Sequence, residues 1–289
     1  MPRRKTVLIT GCSAGGLGAA LAKAFHEEDC HVFATARDPA KIESALAALP
    51  HVEVLALDVA SPASVADCVA QVAAKTDKCL DVLINNAGGG FILPLLDTPM
   101  ADAKDMFDVN FWGVLAMAQA CAPLLINAKG TMVNVSSIAG VTPFPWQGIY
   151  NSSKAAVTML SETLRLELEP LGVKVVAAMV GAVKTEIYNK QDFELPANSL
   201  YKPAEEAMRR QAHGRHQAPI EETADVTAPN IARDVLAGCR GKIWRGGMAG
   251  TISAATWLFP TSYLDGKLTK AGGFPELREI YKDGVPPQV

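Results

Sequence analysis

The 289-residue sequence has six cysteines (Cys12, Cys30, Cys68, Cys79, Cys121, Cys239) but no C-x-x-C pair. Its five histidines form no cluster beside them. A zinc site and a disulfide framework are therefore not expected, and scattered reduced thiols suit a cytoplasmic protein. A basic stripe is also lacking. Lysine and arginine number 27 against 30 acidic residues, a net charge of −3, so nucleic-acid binding has little electrostatic support. No stretch reads as long and apolar enough for a transmembrane helix. Arg3, Arg4 and Lys5 precede an apolar run, but it stops at Gly11, too short for the core of a signal peptide. Repeats, low-complexity segments and a clean linker are absent as well, which favours one domain over residues 1–289.

What is present is alternation. "KTVLIT", "HVFATA", "VEVLALDV", "LDVLINNAG", "TMVNVSS" and "VKVVAAMV" are short apolar runs that read as strands. Helical stretches separate them. Leu17 to Glu28 carries apolar residues at Leu17, Leu21 and Phe25. Pro39 opens a second helix, and Ser61 with Pro62 opens a third. Ala101 to Asn127 is a long helical region that Pro123 should kink or end. Gly148 to Glu169 is stopped by Pro170. Thr223 to Cys239 reads as a further helix and "GKIWRG" as a last strand. Nearly continuous apolar strands imply cover on both faces. The expectation is an α/β, doubly wound, Rossmann-like parallel sheet of about seven strands, with ligands beyond the strands' carboxyl ends.

Two patterns point to chemistry. "TGCSAGGLG" (Thr10–Gly18) follows a strand and opens a helix, the context of a phosphate cradle. Yet it does not read G-x-G-x-x-G, and alone it is only moderately specific. "YNSSK" sets Tyr150 and Lys154 four residues apart on one helix face. A cation beside a phenol favours the phenolate, and such a tyrosine can pass a proton to a developing alkoxide. The Tyr-x-x-x-Lys pattern is common by chance when isolated. Here Ser137, "INNAG" (Ile84–Gly88) and Asn110 in "DVNFWG" are all expected at the same sheet edge.

Jointly and in order, "TGCSAGGLG", "LDV", "NNAG", "DVNFWG", "VSSIAG" and "YNSSK" resemble the classical short-chain dehydrogenases/reductases over residues 5 to about 185. The resemblance implies a catalytic set of Asn110, Ser137, Tyr150 and Lys154. In it Tyr150 is the general acid/base, Lys154 holds the nicotinamide ribose, and Asn110 supports a proton-relay water. Ser137 binds the substrate carbonyl in preference to Ser136. For the cofactor the resemblance implies Gly11, Ser13, Gly15, Gly16, Leu17 and Gly18 in the cradle. Asp58 and Val59 fall near the adenine, Asn86, Ala87 and Gly88 on the adenosine side, and Val183 and Thr185 near the nicotinamide. NAD-specific relatives carry an acid where this chain has Ala36. Arg37 follows, and its fork suits a 2′-phosphate, so NADP(H) is the expected cofactor, although Asp38 is close by. Metal is not expected.

The glycine loop holds one residue more than the family's T-G-x-x-x-G-x-G, which leaves open whether Gly15 or Gly16 is the second cradle glycine. Val180 stands where the family has proline. With "ATARDPAKIE" and "LPANSLYKP", these departures resemble a subgroup near the fungal-type 1-acyldihydroxyacetone-phosphate reductases. A substrate lid is expected at 186–220, with Tyr188, Phe193, Leu195, Leu200 and Tyr201 on its apolar face. Phe91, Ile92, Leu93, Phe144 and Trp146 add apolar surface at the mouth, although each taken singly reads more readily as core. A carbonyl compound of apolar character is the expected substrate. In the tail, about 247–289, "WLFPTSYL" is expected to pack on the lid or at a subunit interface rather than on a membrane. The resemblance also implies a homodimer or homotetramer through 101–127 and 148–169. A non-redox NADPH-binding role and the reverse alcohol dehydrogenase reaction are the alternatives.

Overall fold

The computed structural model describes residues 3–185, 193–214 and 220–284. The chain begins β1 (Thr6–Ile9), α1 (Leu17–Glu27), β2 (His31–Ala36), α2 (Ser44–Ala47), β3 (Val52–Ala56), α3 (Pro62–Lys75) and β4 (Val82–Asn85). It continues α4 (Met100–Phe107), α5 (Gly113–Ala128), β5 (Thr131–Ser137), α6 (Gly148–Glu167), β6 (Lys174–Val180) and the two-residue β7 (Val183–Lys184). Then come α7 (Glu205–Ala212), β8 (Glu222–Thr223), α8 (Ala224–Leu236), β9 (Gly241–Arg245), α9 (Ala249–Leu258), α10 (Asp265–Ala271) and α11 (Phe274–Ile280).

The main sheet has seven parallel strands in the order β3-β2-β1-β4-β5-β6-β9. Alternate residues of each strand feed two cores. Val7, Ile9, Val133 and Val176 join Leu21, Phe25 and Ile231 under α1 and α8. Leu8, Leu83, Met132 and Val175 join Cys68, Met117 and Leu125 under α3 and α5. This is the doubly wound architecture the alternation predicts. The strand order reverses between β1 and β4, which opens a crevice at their carboxyl ends.

Three local expectations change. Pro39 opens only a 3₁₀ turn, Pro39–Lys41, capped by the Asp38 carboxylate on the Ala40 N–H at 3.1 Å. Pro123 does not end its helix. Although it forfeits a helical hydrogen bond, α5 runs on to Ala128 because Leu124 and Leu125 beyond it are buried in the core. Met100–Ala128 does meet the length and hydropathy of a membrane span, at mean hydropathy 1.6 over its most apolar window, contrary to the sequence reading. Met117, Cys121 and Leu125 spend that apolarity on the sheet.

The extra loop residue also finds its place. Gly16 is the N-cap of α1 and stands two residues before Gly18, the spacing of the last two glycines in T-G-x-x-x-G-x-G. Gly15 absorbs the insertion with φ +70°, which glycine adopts without steric cost. Gly18 is where helix and loop touch. A Cβ there would lie 2.3 Å from the Gly11 carbonyl oxygen and 2.5 Å from Asn86 Nδ2. Gly18→Ala is therefore expected to destabilise the fold by about 1–3 kcal/mol through overpacking, seen as a lowered denaturant midpoint, and to lose dinucleotide binding.

Candidate active site

The glycine loop is latched to the end of β4. The Thr10 hydroxyl accepts the N–H groups of Asn86 and Ala87, both at 2.9 Å. Asn86 Nδ2 returns bonds to the carbonyls of Thr10 (2.9 Å) and Gly11 (3.0 Å). Cys12, buried beneath the loop, has its thiol pushed up to about 12 by burial and is not a nucleophile. Helix α1 starts without a capping side chain and with no acidic residue in its first turn. Its free N–H groups and dipole suit a pyrophosphate. Ser13, Gly16 and Leu17 stand half-buried at this opening.

Asn110 lies on a π turn, Asp108–Trp112, between α4 and α5, and is fully buried. The wide turn aims it at the β4 end, where it pairs twice with Gly89. Its Oδ1 accepts the Gly89 N–H and its Nδ2 donates to the Gly89 carbonyl, both at 2.9 Å. The same Nδ2 lies 3.0 Å from Ser153 Oγ, which donates to the Tyr150 carbonyl at 2.8 Å. Asn110 is thereby tied to the first turn of α6.

Tyr150 and Lys154 share one face of α6, with the Lys154 Nζ 5.7 Å from the centre of the Tyr150 ring. The ring lies on the Gly90 backbone, where a Cβ would come within 3.0 Å of Cδ2. Lys154 is buried and its ammonium donates to the Val135 carbonyl at 2.8 Å. Burial pushes its pKa down from 10.5 to about 8. It therefore stays charged at neutral pH. Gly88 borders both Asn110 and this ammonium.

The two serines separate cleanly. Ser136 donates to the Lys154 carbonyl at 3.0 Å and lies 2.7 Å from the Thr158 hydroxyl. Ser137 ends β5 at the sheet edge, with its hydroxyl accepting the Ala139 N–H at 3.1 Å. Ser136 thus ties β5 to α6, and Ser137 stands at the sheet edge.

A family model described as short chain dehydrogenase matches residues 5–194. The chain belongs to the short-chain dehydrogenase family. Short-chain dehydrogenase cctT of Talaromyces islandicus is 48% identical over 261 residues, covering 89% of this chain and 90% of that protein. The NADPH-dependent 1-acyldihydroxyacetone phosphate reductase of Schizosaccharomyces pombe is 40% identical over 237 residues, covering 80% and 79%. A solved short-chain dehydrogenase from Streptomyces avermitilis superposes with a TM-score of 0.78 at 27% identity, covering 93% of this chain and 96% of that one. This short-chain dehydrogenase is accordingly an NAD(P)-dependent oxidoreductase acting on alcohol or carbonyl groups.

In this short-chain dehydrogenase the other expected cofactor residues follow the carboxyl ends of β2, β3 and β6. Arg37 is exposed just past β2. The Asp58 carboxylate accepts the Ala60 N–H at 3.0 Å, and Val59 is buried. Val183 sits in β7, with Thr185 half-buried just beyond it. Val180 ends β6, paired with Ser137 and Arg245. The expected substrate residues divide. Leu195, Ile92 and Trp146 are buried in a satellite core with Met208, while Phe91 is half-exposed. Tyr188, with residues 186–192 and 215–219 of the expected lid, lies outside the described residues. The tail stretch divides: Leu264 packs against Ile138, Ala249 and Ile252, whereas Trp257 is 87% and Leu258 72% exposed. Thr10, Gly89, Gly90 and Ser153 were not singled out from sequence. Only the place of Thr10 before Gly11 and of Ser153 inside "YNSSK" hints at them.

Burial of the Lys154 charge opposes folding. An unfolded lysine titrates at 10.5, so between about 8 and 10.5 the unfolded chain binds the extra proton and stability rises with pH. Below about 8 the cost is complete, roughly 3 kcal/mol before the Val135 bond is counted. Lys154→Met is expected to be more stable than the wild type at neutral pH, with the gap closing toward pH 10.5. Denaturant midpoints measured across that range check it.

Proposed function

We propose that this protein uses NADPH to reduce a ketone or aldehyde on an apolar molecule to the alcohol. The single observation behind this reading is the convergence of Asn110, Ser137, Tyr150 and Lys154 on one sheet edge beside a glycine loop. The loop at Gly11–Gly18, Asn86–Gly88, Asp58, Val59, Val183 and Thr185 would hold the dinucleotide. When bound, NADPH supplies the hydride.

The chain's own residues do the rest. Ser137 donates its hydroxyl proton to the substrate carbonyl oxygen and stabilises the charge that develops there, an effect of about 3 kcal/mol for a preorganised donor. Tyr150 transfers its phenolic proton to that oxygen. The Lys154 ammonium favours the phenolate left behind and, as the buried cation beside Gly88, would hold a ribose hydroxyl. Asn110, through Gly89 and Ser153, fixes the first turn of α6 against the β4 loop. Residues 86–96 and 137–149, which flank Tyr150 on both sides, contain no ionisable side chain. Walls of that kind favour an apolar substrate.

NADPH rather than NADH is supported by Arg37, exposed directly after Ala36, the position where NAD-specific relatives carry an acid, while Asp38 is occupied capping a turn. The relative from Schizosaccharomyces pombe is named NADPH-dependent. A second copy of the chain would cover Trp112, Met159 and Leu166, which α6 and the turn before α5 leave 54%, 69% and 64% exposed.

Tyr150→Phe is expected to lower turnover of an apolar ketone by about 10²–10⁴ while NADPH titration is unchanged. Retained turnover would refute the mechanism. Arg37→Ala is expected to weaken NADPH binding by about ten-fold or more and leave NADH nearly unaffected. Equal losses for both nucleotides would contradict the assignment of Arg37 to the 2′-phosphate.

A further inference from the structure

Trp146 precedes Tyr150 by four residues and holds a left-handed backbone, φ +66°, that a bulky residue rarely adopts. Its surroundings hold it there. The indole N–H donates to the Gly272 carbonyl at 2.9 Å. The ring stacks on Phe274 at 4.9 Å and 24° and meets Tyr201 edge-on at 5.3 Å. Gly272 and Phe274 belong to the C-terminal segment, and Tyr201 precedes α7. Gln211 of α7 donates to the Pro145 carbonyl at 3.0 Å, and the Tyr281 hydroxyl donates to the Leu200 carbonyl at 2.7 Å. The C-terminal segment, α7 and the loop before α6 thus close on one another around a single indole.

Two routes lead from Trp146 to the phenol. Along the chain, Gln147 is the N-cap of α6 and Tyr150 lies in its first turn. Across space, the Trp146 carbonyl accepts the Leu93 N–H at 2.6 Å, three residues past Gly90, on whose backbone the Tyr150 ring rests. A shift of Trp146 therefore moves both the base of the helix and the floor under the ring.

We propose that Trp146 is a positioning residue for Tyr150, locked by Gly272 and Phe274 of the C-terminal segment. The segment is then part of the reacting assembly although it lies far along the chain from Tyr150. Variation at 272–281 tunes proton delivery without touching the dinucleotide cradle. The inference rests on Tyr150 as the proton donor.

The test uses the full-length chain labelled with fluorotyrosine, with the Tyr150 resonance assigned by its loss in Tyr150→Phe. In Phe274→Ala the Tyr150 fluorine resonance is expected to move or broaden, while that of Tyr263 stays in place. With acetophenone and NADPH, kcat is expected to fall about ten-fold or more, the scale set by small misplacements of a reacting group. NADPH affinity, read by nucleotide fluorescence, is expected to hold. An unmoved Tyr150 resonance overturns the proposal, as does a loss confined to KM. Turnover that survives Tyr150→Phe strikes the proton-donor reading instead, so the two failures are distinct.

Discussion

A buried lysine ammonium with no carboxylate partner among the described residues governs the architecture of this site. Lys154 lies inside α6 with the Val135 carbonyl as its hydrogen-bond acceptor, and burial depresses its pKa to about 8. Such a charge persists only where the surrounding structure leaves it no retreat. Ser136 and Thr158 bind the Lys154 carbonyl, which fixes α6 against β5. Gly88 leaves room beside the ammonium, and Asn110 closes the far side. Folding bears an electrostatic cost here that ligand binding and reaction are placed to recover.

The second constraint is topological. The sheet order places β1 beside β4, so the glycine loop and "NNAG" emerge together. Asn86 and Ala87 then donate four hydrogen bonds to Thr10 and Gly11 across that seam. Gly18 allows the α1 backbone to approach the loop, and Gly15 takes up the extra residue in a left-handed turn. The insertion leaves the spacing of Gly16, Leu17 and Gly18 intact, so the start of α1 still faces the crevice.

Strands and the doubly wound plan were legible because each strand is a continuous apolar run between turn residues. Tyr150 and Lys154 were legible because helical spacing places them on one face. The choice between Ser136 and Ser137 was not legible from spacing in a strand alone, since neighbouring residues point to opposite faces and either face is buried. The resemblance favoured Ser137, and the bonds of Ser136 to α6 supply the physical reason. Thr10 and Ser153 escaped notice because their partners lie 76 and 43 residues away. Trp146 was open to both a mouth and a core reading because what buries it, the Gly272 segment, is 126 residues distant. The short 3₁₀ turn at Pro39 shows a cap and a proline at N1 without the apolar face that would extend a helix.

The central claim is that the assembled residues reduce a carbonyl rather than merely bind a nucleotide. It is tested most directly by mixing the protein with NADPH and a panel of apolar ketones, following nicotinamide absorbance and alcohol formation in the same samples. The account predicts that at least one ketone gives alcohol in a one-to-one ratio with NADPH consumed. Tight NADPH binding with no ketone consumed across the panel would contradict it.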